Sequence, residues 1–250
     1  MIQVLALLLL MLAGPAWADC EPIDHAPVRI DRPGSYCLVT DLAVEIDSGA
    51  AITIAAPNVD LDLNRHTLSN YVAESGYCLN GYVELPTVGI AAGDQRNVRV
   101  HNGTVQCFQT GVSLNSSPQC RLCGDGYRVE DMRIHNVHLH GVYIEGNHAI
   151  VQRNHIFDIS GQVEGRVATG IVMLGYRNVV LDNDVMAIKG RDSTGINTAL
   201  GSVTVVNNRV LGAMFGLRLF GSSDVTYRDN ITAEVAIPYS GQGLDIGNNH

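Results

Sequence analysis

Hydrophobic residues along this chain alternate with polar ones in short runs, and the runs are broken by glycine, asparagine or aspartate. A period of two marks strands that bury one face. One unit recurs: a glycine, then apolar, any residue, apolar. It stands at Gly89-Ile90-Ala91-Ala92, Gly111-Val112-Ser113-Leu114, Gly141-Val142-Tyr143-Ile144, Gly170-Ile171-Val172-Met173, Gly195-Ile196-Asn197-Thr198 and Gly216-Leu217-Arg218-Leu219, and Gly243-Leu244-Asp245-Ile246 reads as the start of a seventh. The glycines are 22, 30, 29, 25, 21 and 27 residues apart. Between them lies a second unit: alternating apolar residues, a polar residue, Asn, any residue, then Val or Ile. Examples are Val151-Gln152-Arg153-Asn154-His155-Ile156, Leu181-Asp182-Asn183-Asp184-Val185 and Val206-Asn207-Asn208-Arg209-Val210. Tyr227-Arg228-Asp229-Asn230-Ile231 reads as a copy with aspartate in the asparagine place, and the stretch from Asn58 to Asn64 as an earlier, less regular one.

Each repeat therefore predicts three short strands, with no amphipathic helix between them. A single unit cannot bury its apolar face; stacked copies bury a continuous column. The asparagines supply a reason for register. Asn154, Asn183 and Asn208, with Asp229 extending the row, would lie above one another at a corner and bond the backbone of the next turn. The expected class is all-β, a right-handed parallel β-helix.

This pattern resembles the pectate-lyase-like superfamily of parallel β-helices, in particular its carbohydrate-binding proteins and sugar hydrolases, over roughly residues 45 to 248. A leucine-rich repeat has a similar period, but Leu does not recur at the required offsets. About seven rungs at ~4.8 Å would make a rod roughly 35 Å long. Residues 46–250 are assigned to the helix and 19–45 to an N-terminal cap hiding the first open edge. The last rung reads as uncapped, which makes another chain a candidate to cover it.

Residues 1–18 read as a secretory signal peptide. Val4 to Ala13 is an apolar run, and Ala16-Trp17-Ala18 matches the small-residue cleavage pattern. The segment has no Lys or Arg, so an uncleaved anchor is the alternative. The run is shorter than the ~20 residues of a membrane span, so stable membrane insertion is not expected and the chain reads as secreted or periplasmic. The six cysteines, Cys20, Cys37, Cys78, Cys107, Cys120 and Cys123, then favour disulfides. Sequence does not select a pairing; the simplest is sequential. Cys120 and Cys123 form a C-x-x-C in a loop, whereas redox pairs sit at a helix start.

Composition narrows the partners. With 46% apolar residues the chain is not disordered. Acids outnumber bases 25 to 16, for a net charge of −9, and Lys189 is the only lysine. With no basic run, nucleic acid is excluded as a partner.

In the superfamily, sugar chains bind the outer face of the first sheet. Carried over, this implies outward pairs Ala91/Gly93, Ser113/Asn115, Tyr143/Glu145, Val172/Leu174, Asn197/Ala199 and Arg218/Phe220. The preceding loops add Glu164, Arg166, Lys189, Arg191 and Asp192. Glycoside hydrolysis needs two carboxyls about 5–9.5 Å apart. Glu145 is the sheet's one acid, so Asp192 or Glu164 would have to join it, with Arg218 or Arg191 as the base of a lyase. Calcium enters only in the lyase case. Tyr143, Asn197, Arg191 and Phe220 are the candidate substrate contacts. On this face the sequence shows neither the N-x-D strand with an adjacent Asp pair nor the clustered Asp ligands of the enzyme branches, and the D-P-H-D motif is absent.

A second constellation flanks the corner: Asp131, Arg153, Asp182, Asn207 and Arg228 before it, Arg133, His155, Asp184, Arg209 and Asn230 after it. These read as exposed ion ladders, each link worth ~0.2–1 kcal/mol. Alternatively His155 is a general base held by Asp184, with Arg133, Arg153 and Arg209 binding an anionic sugar. His135, His138, His140, His148 and His155 cluster in sequence, yet only His138 and His140 share a strand face, so no metal site is assigned. Asn102, Asn115 and Asn230 match the glycosylation pattern. Two functions follow: a β-helix that binds a polysaccharide, with cleavage by lyase or hydrolase chemistry open, or a non-catalytic extracellular interaction module.

Overall fold

A computed structural model describes residues 20–70, 78, 86–117, 120, 123–161, 167–220 and 224–250. The signal peptide expected at 1–18 and the loop residues Glu164 and Arg166 lie outside them. The described strands form three parallel sheets that wind through eight turns and part of a ninth. Among these residues no helix is long and apolar enough to cross a membrane.

The first sheet stacks Val28–Ile30, Gly49–Ile54, Thr87–Gly93, Thr110–Asn115, His140–Glu145, Thr169–Leu174 and Thr194–Ala199, then the latter parts of Arg209–Leu219 and Ile231–Gly241. The second runs from Glu21–Ile23 through Gly34–Leu38, Val59–Asp62 and later strands to Leu244–Asp245. The third begins at Leu42–Val44 and Thr67–Asn70 and reaches the first part of Ile231–Gly241. Segment 19–45 thus carries parallel strands of all three sheets.

Inward residues fill the core. Val112, Val142, Ile171, Ile196 and Leu217 on the first sheet meet Val129, Val151, Val180 and Val205 on the second and Ile134, Ile156, Val185 and Val210 on the third, all fully buried. The repeated glycine has a steric cause. A Cβ on Gly111, Gly141 or Gly170 would stand 2.6 Å from the carbonyl oxygen of the next turn's glycine, and one on Gly216 2.4 Å from that of Pro238. Neighbouring turns approach too closely there for any side chain.

The asparagine corner forms as expected, with one correction. The third-sheet register places Arg209 opposite Ile231, so Asn230, not Asp229, continues the row. Asn183 Nδ2 donates to Asn208 Oδ1 (2.9 Å) and to the Val151 carbonyl (3.0 Å), while Asn183 Oδ1 accepts from the backbone N of Asn154 (3.0 Å) and from its Nδ2 (2.9 Å). Asn208, Asn230 and Asn249 repeat the arrangement. The residue before each asparagine is left-handed: Arg153, Asp182, Asn207, Asp229 and Asn248 have φ of 53°, 56°, 52°, 55° and 57°. Asp and Asn tolerate that conformation best, which explains the polar residue of the repeat. A second correction concerns Gly243: Leu244–Asp245 pairs with Thr226–Arg228 in the second sheet. The first-sheet strand of that turn is Ile237 to Gly241, and its glycine place holds Pro238.

The cysteines pair sequentially: Cys20–Cys37, Cys78–Cys107 and Cys120–Cys123, with Cα separations of 5.7, 4.9 and 5.4 Å.

Candidate binding groove on the first sheet

The outer face of the first sheet carries a groove of about 490 Å³. In-register pairing puts Tyr143, Val172, Asn197 and Arg218 on successive turns, one above another, and all four line it with Leu174 and Phe220. Val172 is buried and Leu174 half-buried, so the floor is apolar. Phe220 stands at the rim, 46% exposed.

Arg218 is the charged residue of this groove. Its guanidinium lies over the rings of Phe215 and Phe220, 4.5 and 5.0 Å from the centroids, a contact that holds a cation without neutralising it. Arg218 Nε and Asn197 Oδ1 are buried and have no hydrogen-bond partner among the described residues. Buried polar atoms are normally satisfied by protein or ordered water, so these two atoms on adjacent turns leave hydrogen-bonding capacity at an open groove for water or a ligand to take up. Burial first, then the nearby Glu145 carboxylate, pushes the Tyr143 hydroxyl above its ordinary value. It stays protonated, a donor rather than a base.

The structure gathers Tyr143, Asn197, Arg218 and Phe220 and leaves other candidates apart. Glu145 is beside Tyr143, whose hydroxyl reaches its Oε2 at 3.5 Å, but does not line the groove. Arg191 and Asp192 are exposed on the turn before Thr194 and do not line it either. His140 and Val167 join the wall; the His140 ring tilts against Tyr143, centroids 5.6 Å apart. His140 begins its strand one residue before the glycine, a column the sequence pattern did not single out.

At the second corner the flanking columns read Asp131, Arg153, Asp182, Asn207 and Asp229, then Arg133, His155, Asp184, Arg209 and Ile231. Asn230 and Arg228 therefore leave the places expected of them. Arg153 grips both oxygens of Asp131 at 2.8 Å, and Arg209 bonds Asp184 at 2.8 Å. His155 is opposite Asp184 in register, but its ring stacks on Phe157, centroids 4.7 Å apart. On the second sheet Glu130 is almost fully buried and is held by Arg99 and Gln152.

The remaining histidines disperse. His138 Nδ1 meets Ser160 Oγ at 2.7 Å, His148 meets Asp125 at 2.7 Å, and His135 stacks on Phe157, centroids 4.7 Å apart. Among the described residues no group of three or more His, Cys, Asp or Glu is placed to hold a metal ion, so they offer no cluster of acidic ligands for calcium. Of the three glycosylation-pattern asparagines, Asn230 is buried in the corner row, and Asn102 bonds Asp62 at 2.9 Å.

A family described as a right-handed β-helix region matches residues 88–250. The chain belongs to the right-handed β-helix family. No curated protein matches it in sequence. Two solved structures show a distant similarity. One is an alginate lyase from Paenibacillus sp. str. FPU-7, 13% identical with a TM-score of 0.43, over 85% of this chain and 93% of that one. The other is the enzymatically active domain of tailspike protein 2 of bacteriophage CBA120, 10% identical with a TM-score of 0.38, over 85% of this chain and 38% of that one. At such similarity neither informs the chemistry of this β-helix protein.

Proposed function

We propose that this β-helix protein binds an acidic polysaccharide along the first-sheet groove. The observation that carries the reading is Arg218: a guanidinium over two rings, without an ion-pair partner among the described residues, beside the unpartnered Asn197 oxygen. A uronate offers a carboxylate to the guanidinium and ring hydroxyls to Asn197 and Tyr143, while sugar faces pack on Val172, Leu174 and Phe220. Three disulfides suit an oxidising compartment, where such polymers are met.

Binding is favoured over hydrolysis because no carboxylate among the described residues lines the groove, and hydrolysis needs two across the scissile bond. Affinity electrophoresis of the mature chain in gels containing uronate or neutral polysaccharide tests the proposal. Retardation by the uronate polymer, weakened about tenfold or more in Arg218→Gln, is the expected result; equal retardation of both proteins would reject it. An unsaturated product in the same mixtures would add elimination chemistry to the binding, and new reducing ends without it would point to hydrolysis.

A further inference from the structure

The second corner of the early turns carries a hollow of about 440 Å³, within the ~300–1,000 Å³ of ligand pockets. Its walls come from successive turns: Arg65, then Asn102 to Thr104, then Arg133, then His155, with the Asp131–Arg153 pair at one side. It is separate from the first-sheet groove and shares none of its residues.

Local backbone chemistry builds it. Asn64 and Arg65 are both left-handed, with φ of 49° and 66°, so this turn leaves the regular coil. It is pinned to the next one: Arg65 N donates to the Asn102 carbonyl (2.7 Å) and Thr104 N to that of His66 (3.0 Å). The approach requires Gly103, where a Cβ would stand 2.2 Å from Leu63 Cβ. Arg65 is thereby fixed at one end of the hollow. Arg133 stands two turns away or roughly 10 Å at the backbone, one turn before His155, its guanidinium 4.6 Å over the Phe157 ring. His155 lies on the same ring.

The acids nearby are already engaged. Arg153 takes both oxygens of Asp131. Asp62 accepts from Asn102 and from the backbone N of Asn64, and Asp184 pairs with Arg209. Neither Arg65 nor Arg133 has an ion-pair partner among the described residues. Two guanidiniums without an ion-pair partner among the described residues thus face one hollow in a chain of net charge −9.

We propose that this hollow binds a tetrahedral oxyanion, a phosphate or sulfate ester group, held between Arg65 and Arg133 with His155 as a third donor. One guanidinium fork satisfies a planar carboxylate. Two forks arriving from turns on either side suit an anion whose oxygens lie in more than one plane. Burial first, then the Arg133 charge, lowers the His155 ring below its ordinary value, so near neutral pH it presents a single N–H.

Calorimetric titration of the mature chain at low ionic strength with inorganic phosphate, inorganic sulfate and glucuronate tests this. Phosphate or sulfate should saturate one site and shift the His155 ring resonances, with glucuronate at least about tenfold weaker. Which oxyanion binds more tightly identifies the ester. Arg65→Gln and Arg133→Gln, both at exposed positions, should each weaken binding about tenfold or more, and Arg218→Gln should not change it. No saturable oxyanion binding, unchanged binding in the Arg65→Gln/Arg133→Gln double variant, or glucuronate shifting the His155 resonances of the Arg218→Gln protein with equal affinity would overturn the proposal.

Discussion

The second corner has two characters. From Asn154 through Asn183, Asn208 and Asn230 to Asn249 it is a continuous buried column in which each carboxamide bonds the next. In the turns before it the same place holds Leu63, Gly103 and Met132; the column ends where Asn154 Oδ1 accepts from Met132 N. The later turns devote the corner to register. The earlier ones give up that column, and their corner departs from the coil far enough to project Arg65 and open a hollow. The buried asparagine column and the double left-handed turn that projects Arg65 occupy different turns of this corner.

The comparison can be broken most strongly inside the column. Asn183→Ala would leave the Asn154 backbone N–H, the Asn154 amide and the Val151 carbonyl without their partner. Each unsatisfied buried group costs about 1–3 kcal/mol, so a loss of at least ~3 kcal/mol is expected in denaturant unfolding. A loss below ~1 kcal/mol would show that the column follows the register rather than setting it. In the early turns Gly103→Ala should cost about 1–3 kcal/mol, because its Cβ would meet Leu63 Cβ at 2.2 Å and the His66 carbonyl oxygen at 2.8 Å and force that turn to move. Its sharper signature would be weakened oxyanion binding, since Arg65 would move with that turn.

The smallest expected effect is acid-dependent. Burial alone would push the Glu130 carboxyl up, but the hydrogen bonds from Gln152 and Arg99 outweigh it and lower it below the ordinary value. A carboxyl lowered in the folded state adds stability that is present above its unfolded value and is lost as pH falls through the folded one. Thermal melts should therefore decline on acidification below the ordinary carboxylate range, and Glu130→Gln should reduce that decline. An unchanged profile in the variant would place the acid sensitivity elsewhere.

Much of this was legible in the residues. The glycine and asparagine repeats mark the first sheet and the second corner because steric closeness and buried amide bonding recur at every turn. That periodicity also placed Tyr143, Asn197, Arg218 and Phe220 on one outward face. Where a constraint acts once, the pattern misleads. Asn230 follows an aspartate at the left-handed position, so aspartate and asparagine are easily exchanged in reading the row. Gly243 precedes an alternating pair yet belongs to the second sheet, because Pro238 already occupies the glycine place. Arg65 gave no signal, since its double left-handed turn has no copy elsewhere. The loop acids could not be placed from spacing: Asp192 is exposed and does not line the groove although it precedes a first-sheet strand.

All three sheets run their hydrogen bonds along the axis of the coil, and each turn bonds only to its neighbours. Tension applied between the two ends of this chain would therefore load those bonds one layer at a time, peeling the molecule open in small steps, each a turn of roughly 21 to 30 residues. Force across the axis would meet many bonds of a layer together. A coil built this way is soft when pulled lengthwise and stiff when pushed from the side, and both of its candidate binding surfaces lie on the stiff flank.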